Sequence, residues 1–199
     1  VVEGEAIRRA LAVIAGRLEG SNANWLVGGS AGLMLRGLRL SAPPRDLDLY
    51  ADVKDAESIH YALSTFALDV PKESVTGMYR SILSHYEIEG VAVELVGGFE
   101  VNAGGSSYKV QVNDLLYRHR TELNCGGYPV GVVPLAHELW FNVLRAREDR
   151  TGIIMEAIRQ QPSAHLAGLL AVEQNGEFTV SMVSSVHRKL HLPELGAVE

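Results

Sequence analysis

The stretch Arg45-Asp46-Leu47-Asp48-Leu49-Tyr50 alternates polar and apolar residues with a period of two, the pattern of a strand that buries only one face. What precedes it makes it the most constraining segment of the chain. Asn24 to Val27 is a short apolar run that stops at Gly28 and Gly29, and after Ser30 a second apolar stretch runs from Ala31 to Leu38. Strand, glycine turn, helix and half-buried strand, in that order, define an α/β (α+β) protein. Within the alternating strand, Leu47 and Leu49 are expected to face the core, and Asp46 and Asp48 the other side.

Flanking segments extend the unit. Ile7, Ala10, Leu11, Ile14 and Leu18 recur at three- and four-residue spacing, which predicts an amphipathic helix. Asp55 is expected to cap a helix over 56–68 that buries Ile59, Leu63 and Phe66. Extended runs at 82–88 and 91–96 are separated by Glu89 and Gly90, so a hairpin is predicted, with Glu94 inside its second strand. Residues 97–128 are rich in glycine and poor in periodicity, and only a strand near 109–112 is predicted there. A strand over 128–133 leads to Pro134, which suits the first turn of a helix carrying Leu135, Leu139, Val143 and Leu144. Everything after it reads as helical, interrupted at Pro162. The expected organisation is a core over residues 1–133 with a helical portion over 134–199 packed on it.

Composition narrows the function. The 199 residues are 47% hydrophobic and 21% charged, as in ordinary globular proteins. Against 18 basic residues stand 24 acidic ones, a net charge of -6 that disfavours general binding to duplex DNA. No apolar run approaches the roughly 20 residues that span a bilayer, the first residues carry no basic-then-apolar signal, and Cys125 is the single cysteine. These features point to a cytoplasmic protein. His85, His119 and His137 lack zinc-ligand spacing, and neither a P-loop nor a Rossmann glycine motif is present.

Two carboxylates at i and i+2 of a strand share a face with α-carbons roughly 7 Å apart, so they can converge on one ion. Mg²⁺ takes oxygen ligands, usually one or two carboxylates together with the phosphates of a bound substrate. A glycine pair at a strand end lets backbone N–H groups approach a phosphate without an intervening Cβ, and Ser30 adds a hydroxyl.

On these residues the sequence resembles the nucleotidyltransferase superfamily, the polymerase-β-like fold, and is most similar to its small stand-alone bacterial members, toxin-type ones included. The resemblance runs over residues 24–96: Gly28, Gly29 and Ser30 match the glycine element, Asp46 and Asp48 the Asp-x-Asp strand. Glu94 stands where the family places a third acid, usually aspartate. The resemblance implies a mixed β-sheet flanked by helices, and transfer of a nucleoside monophosphate from a nucleoside triphosphate, ATP first among them, to an acceptor hydroxyl with release of pyrophosphate. It further implies that Asp46, Asp48 and Glu94 are catalytic and bind two Mg²⁺ ions. Gly28, Gly29, Ser30 and Arg45 would hold the nucleotide, with Arg145 and Arg147 less favoured for that role. A small molecule, a protein and a tRNA all remain open as acceptor, as does the oligomeric state. The alternative is a catalytically degenerate member of the fold that binds a nucleotide or a protein partner, in a regulatory or toxin–antitoxin role. The enzyme reading requires residues 46, 48 and 94 to meet beside the glycine turn.

Overall fold

A computed structural model of the chain describes residues 4–192. In order, the elements are α1 (Gly4–Leu18), β1 (Leu26–Gly28), α2 (Gly29–Leu35), β2 (Leu47–Ala51), α3 (Val53–Ala62), β3 (Lys72–Val75), β4 (Tyr79–Ile88), β5 (Val91–Ala103), β6 (Ser106–Lys109), β7 (Thr121–Cys125), β8 (Tyr128–Val132), α4 (Leu135–Leu144), α5 (Glu148–Gln160), α6 (Pro162–Asn175) and α7 (Val180–Leu190). The strands form one mixed sheet in the order β3-β4-β5-β2-β1-β8-β7, and β6 pairs with β5. Strand β2 runs parallel to β5 and antiparallel to β1, and β1 runs parallel to β8. This is the expected α/β sheet flanked by helices.

Alternation along the central strands assigns their side chains to two cores. Leu47, Leu49 and Leu95 pack with Ile7, Leu11 and Ile14 of α1 and Ile59 of α3. Their neighbours Tyr50 and Val96 point the opposite way, toward Leu139 and Trp140 of α4 and Ile154 of α5. Fully burying each such aliphatic side chain contributes roughly 1.5–3 kcal/mol, so both faces hold the sheet. Helix α4 is buried nearly all round, as a helix enclosed by other elements must be. No helix among the described residues is long and apolar enough to cross a membrane.

Several boundaries differ from expectation, each for a local reason. Strand β2 begins at Leu47, and Asp46 lies in the bend before it, because pairing with β1 ends at the Gly28–Asp48 pair and pairing with β5 at the Leu47–Val93 pair. Helix α3 starts at Val53, with Asp52 at the cap position. The carboxylate of Asp52 accepts the N–H groups of Val112 and Asn113 at 2.9 and 3.0 Å, and Asp55 accepts from the Asn113 side chain at 2.7 Å. These acids therefore tie down the 112–113 segment rather than cap the helix. Helix α3 ends at Ala62, before a short 3-10 turn over Ser64–Phe66. Most of the aperiodic 97–128 stretch is sheet. Strand β5 continues to Ala103, β6 occupies 106–109 instead of 109–112, and β7 follows. Strand β3 was not expected either. Pro134 stands one residue before α4, at its cap position. Residues 193–199 of the expected C-terminal portion lie outside the described residues.

Candidate active site

Two strand pairings bring the acidic residues together. Gly28 lies opposite Asp48 across the β1–β2 pair, and Glu94 lies opposite Asp48 across the parallel β2–β5 pair. Neighbouring strands are about 4.8 Å apart. Asp48 and Glu94 thus share a sheet face with Tyr50 and Val96, while Leu47, Leu49 and Leu95 occupy the reverse. Beyond the part covered by α4 this face opens into a cavity of about 410 Å³. Asp46, Asp48, Glu94, Gly29 and Ser30 line one side of it. Glu138 and Asn142 of α4, with Arg145, Arg147 and Arg150 from the turn into α5, line the other. Two of the residues singled out in the sequence are not in its wall: Gly28 is buried, and Arg45 is exposed before β2.

The glycine pair has a steric explanation. Gly29 takes a left-handed backbone, φ +61°, and a Cβ there would overlap the Asp48 carboxylate. At Gly28 a Cβ would overlap the ring of Tyr50. Both glycines therefore clear space for the outward side chains of β2. The N–H of Gly29 donates to Glu138 Oε1 at 2.6 Å, which engages the first amide of the expected phosphate cradle. Helix α2 is only seven residues long, so its dipole is short as well.

Glu138 was not singled out in the sequence. Its signal there is a carboxylate between Leu135 and Leu139, on a helix whose other polar residues are only His137 and Asn142. It is 1% exposed, and the Asn142 side chain donates to its carbonyl at 2.7 Å. Burial pushes the Glu138 carboxyl up to about 7, against the opposing pull of the Gly29 N–H and of Arg145, Arg36 and Arg150. Asp48 is pushed up to about 8, first by burial, then by the like charges of Asp46, Glu94 and Glu138, with Arg145 opposing. Glu94 is raised by burial and by Asp46, and lowered in turn by His85. His85 itself is held by Asp69, whose two oxygens lie 2.7 Å from its backbone N and from Nδ1, and its Nε2 stands 3.9 Å from Glu94 Oε1. Carboxyl groups displaced this far by burial and mutual repulsion, within one cleft, are what functional sites commonly contain.

The cations opposite are partly engaged. Arg145 lies over the Phe141 ring, 4.2 Å from its centroid, and Arg147 makes a two-pronged pair with Asp149 at 2.9 and 2.8 Å. Nη1 of Arg150 is buried without a hydrogen-bond partner among the described residues. Likewise among the described residues, no three His, Cys, Asp or Glu side chains are gathered into a ready-made metal cage. Unneutralised carboxylates repel one another, which opposes such gathering. An all-oxygen donor set that lacks positive charge still matches the chemistry of a hard divalent cation that arrives with phosphate ligands of its own.

Fold and cavity together define a class: the chain has the nucleotidyltransferase fold. A protein from Thermotoga maritima assigned as a nucleotidyltransferase superposes on 77% of this chain and 92% of its own, with a TM-score of 0.60 at 23% identity. A structure of ANT(2'')-Ia in complex with adenylyl-2''-tobramycin aligns over 93% of this chain and 97% of that one, at a TM-score of 0.48 and 13% identity. No family model matches the chain, and no curated protein matches it.

Proposed function

We propose that the protein transfers a nucleoside monophosphate from a nucleoside triphosphate, ATP first among them, to an acceptor hydroxyl and releases pyrophosphate. The observation that carries this reading is the pairing of Asp48 with Glu94 on adjacent parallel strands, over a cavity shared with Asp46 and faced by three arginines. Asp46, Asp48 and Glu94 are the residues that would hold Mg²⁺. Such ions neutralise phosphate charge and favour the ionised form of a bound hydroxyl. Arg145, Arg147 and Arg150 bind the phosphate oxygens, where planar guanidinium groups make paired charge-assisted bonds. Ser30 donates its hydroxyl to the same group. Glu94, half-buried at the cavity rim, accepts the proton of the incoming hydroxyl as its oxygen bonds to the α-phosphorus and the bond to pyrophosphate breaks.

The like charges of Asp46, Glu94 and Glu138, which add to burial in raising Asp48, support this reading, because a divalent cation relieves their mutual repulsion. Isothermal titration with each triphosphate, with and without MgCl₂, tests it. Wild type should bind a triphosphate only when Mg²⁺ is present, and Asp48→Asn should weaken that binding and any turnover by more than about a hundredfold, beyond the 10–100-fold typical of residues that merely support a ligand. Binding indifferent to both Mg²⁺ and Asp48→Asn would instead fit the degenerate reading, a nucleotide-binding or partner-binding protein. The hold of Glu138 on the Gly29 N–H favours that second reading.

A further inference from the structure

Arginines are concentrated along one continuous track. Arg150 lines the acidic cavity and also a hollow of about 280 Å³ beside it. Arg39 and Ile153 line that hollow and also a larger groove of about 950 Å³ farther along α5. The groove adds Arg36, Arg118 and Arg120, with His119 and His165. With Arg145 and Arg147, the cavity, hollow and groove take seven of the 14 arginines of the chain and none of its four lysines, in a protein whose net charge is -6. The groove itself, lined by Arg36, Arg39, Arg118 and Arg120 against the single carboxylate of Glu156, is a cationic surface on an acidic whole.

Outside the acidic cavity the acids lining the path are paired, Asp149 with Arg147 and Arg150 and Glu156 with Arg159, and Arg120 in turn pairs with Glu122. Arg36 and Arg120 are anchored by bonds to the carbonyls of Val133 and Tyr117, which hold their guanidinium planes in place. Arg39 and Arg118 are exposed and, among the described residues, make no ion pair or side-chain hydrogen bond. Fixed and free guanidinium groups in series match a ligand with a series of anionic groups. Arginine is better suited than lysine to bidentate phosphate contacts.

We propose that this track binds the sugar–phosphate backbone of a nucleic-acid strand, whose terminal hydroxyl is the acceptor in the acidic cavity. The identity of the strand as acceptor rests on the nucleotidyl-transfer reading; its binding to the groove does not. An acidic protein segment also matches the charge. A nucleic-acid strand supplies in one molecule both the repeated phosphates that the groove requires and the hydroxyl that the cavity requires.

The test measures fluorescence anisotropy of end-labelled single-stranded RNA and DNA with the full chain, without triphosphate, at 50 and 200 mM KCl. Wild type should bind, less tightly at the higher salt. The double variant Arg39→Ala/Arg118→Ala, which leaves the acidic cavity untouched, should bind at least tenfold more weakly at 50 mM, with a salt slope shallower by about 1–2. Arg188→Ala, at an exposed arginine outside the cavity, hollow and groove, should bind as wild type does. The tighter of the RNA and DNA arms identifies the strand. Absence of salt-dependent binding overturns the proposal, as does equal binding by a double variant that retains the wild-type melting curve, or equal displacement by polyglutamate. A second arm follows transfer of α-labelled nucleotide to strands with a 3′ hydroxyl or a 3′-deoxy end. Label is expected only on the former. A strand that binds but takes no label overturns its role as acceptor. If triphosphate binding also ignores Asp48→Asn, the transfer reading has failed separately.

Discussion

Gly29 joins three constraints in one residue: a left-handed backbone, an N–H held by Glu138, and an empty Cβ position filled by the Asp48 carboxylate. Substitution by alanine strains the backbone and pushes that carboxylate aside. Gly29→Ala should therefore lower stability by about 1–3 kcal/mol in urea unfolding, and weaken Mg²⁺-dependent triphosphate binding more than tenfold in the same titration. Asp48 sets a pH dependence of definite sign. In the folded chain its carboxyl keeps its proton up to about 8, whereas the unfolded chain loses it near 4. Between those values the unfolded state binds fewer protons, so the contribution of Asp48 to stability falls as pH rises. Without divalent cations, Asp48→Asn should gain melting temperature relative to wild type as pH goes from 5 to 8. Each 1 kcal/mol corresponds to roughly 2–4 °C in a chain of this size. A constant difference across that range would contradict the burial and repulsion ascribed to this group.

The β4–β5 hairpin turns on Glu89 and Gly90, both with positive φ, 54° and 72°. Asparagine tolerates that region better than glutamate does, so Glu89→Asn should stabilise the protein by about 0.5–1 kcal/mol, read from the urea midpoint at unchanged slope. This hairpin was legible in the sequence because Glu89 and Gly90 separate two extended runs. The continuation of β5 was not. Past Val96 the pair Gly97 and Gly98, which admit Ala56 and Val53 of α3, reads as a break in the sequence, although alternation resumes over Phe99-Glu100-Val101-Asn102. The same distinction divides the site. Asp46, Asp48 and Glu94 could be found from local pattern, since the first two are the polar positions of an alternating run and the third lies within an apolar one. Arg145 and Arg147 were only less favoured candidates and Arg150 was hidden, because their approach to the acids depends on how α4 and α5 are placed, which no spacing records. Arg45 lies next to the acids in sequence but faces solvent, since the chain bends before β2.

At the scale of the whole molecule, the helices after Pro134 complete one of the two cores. Leu139, Trp140, Ile154 and Leu169 cover Leu26, Tyr50, Val96 and Val133. A fragment limited to residues 1–133 would expose that face. It should lack the cooperative thermal transition of the full chain, measured by circular dichroism, and should bind a dye specific for exposed apolar surface. That outcome would make the boundary near Pro134 a change of secondary structure rather than the edge of an independently folding unit. Parallel pairing of β2 with β5 has one more consequence. A slip of a single residue would set Val93 or Leu95 beside Asp48 and thrust the Glu94 carboxylate among the leucines under α1. The energetic cost of that error falls on folding itself, so the packing that stabilises the chain also proofreads the alignment of its acids, and misassembled copies are removed by instability before they could act with altered chemistry.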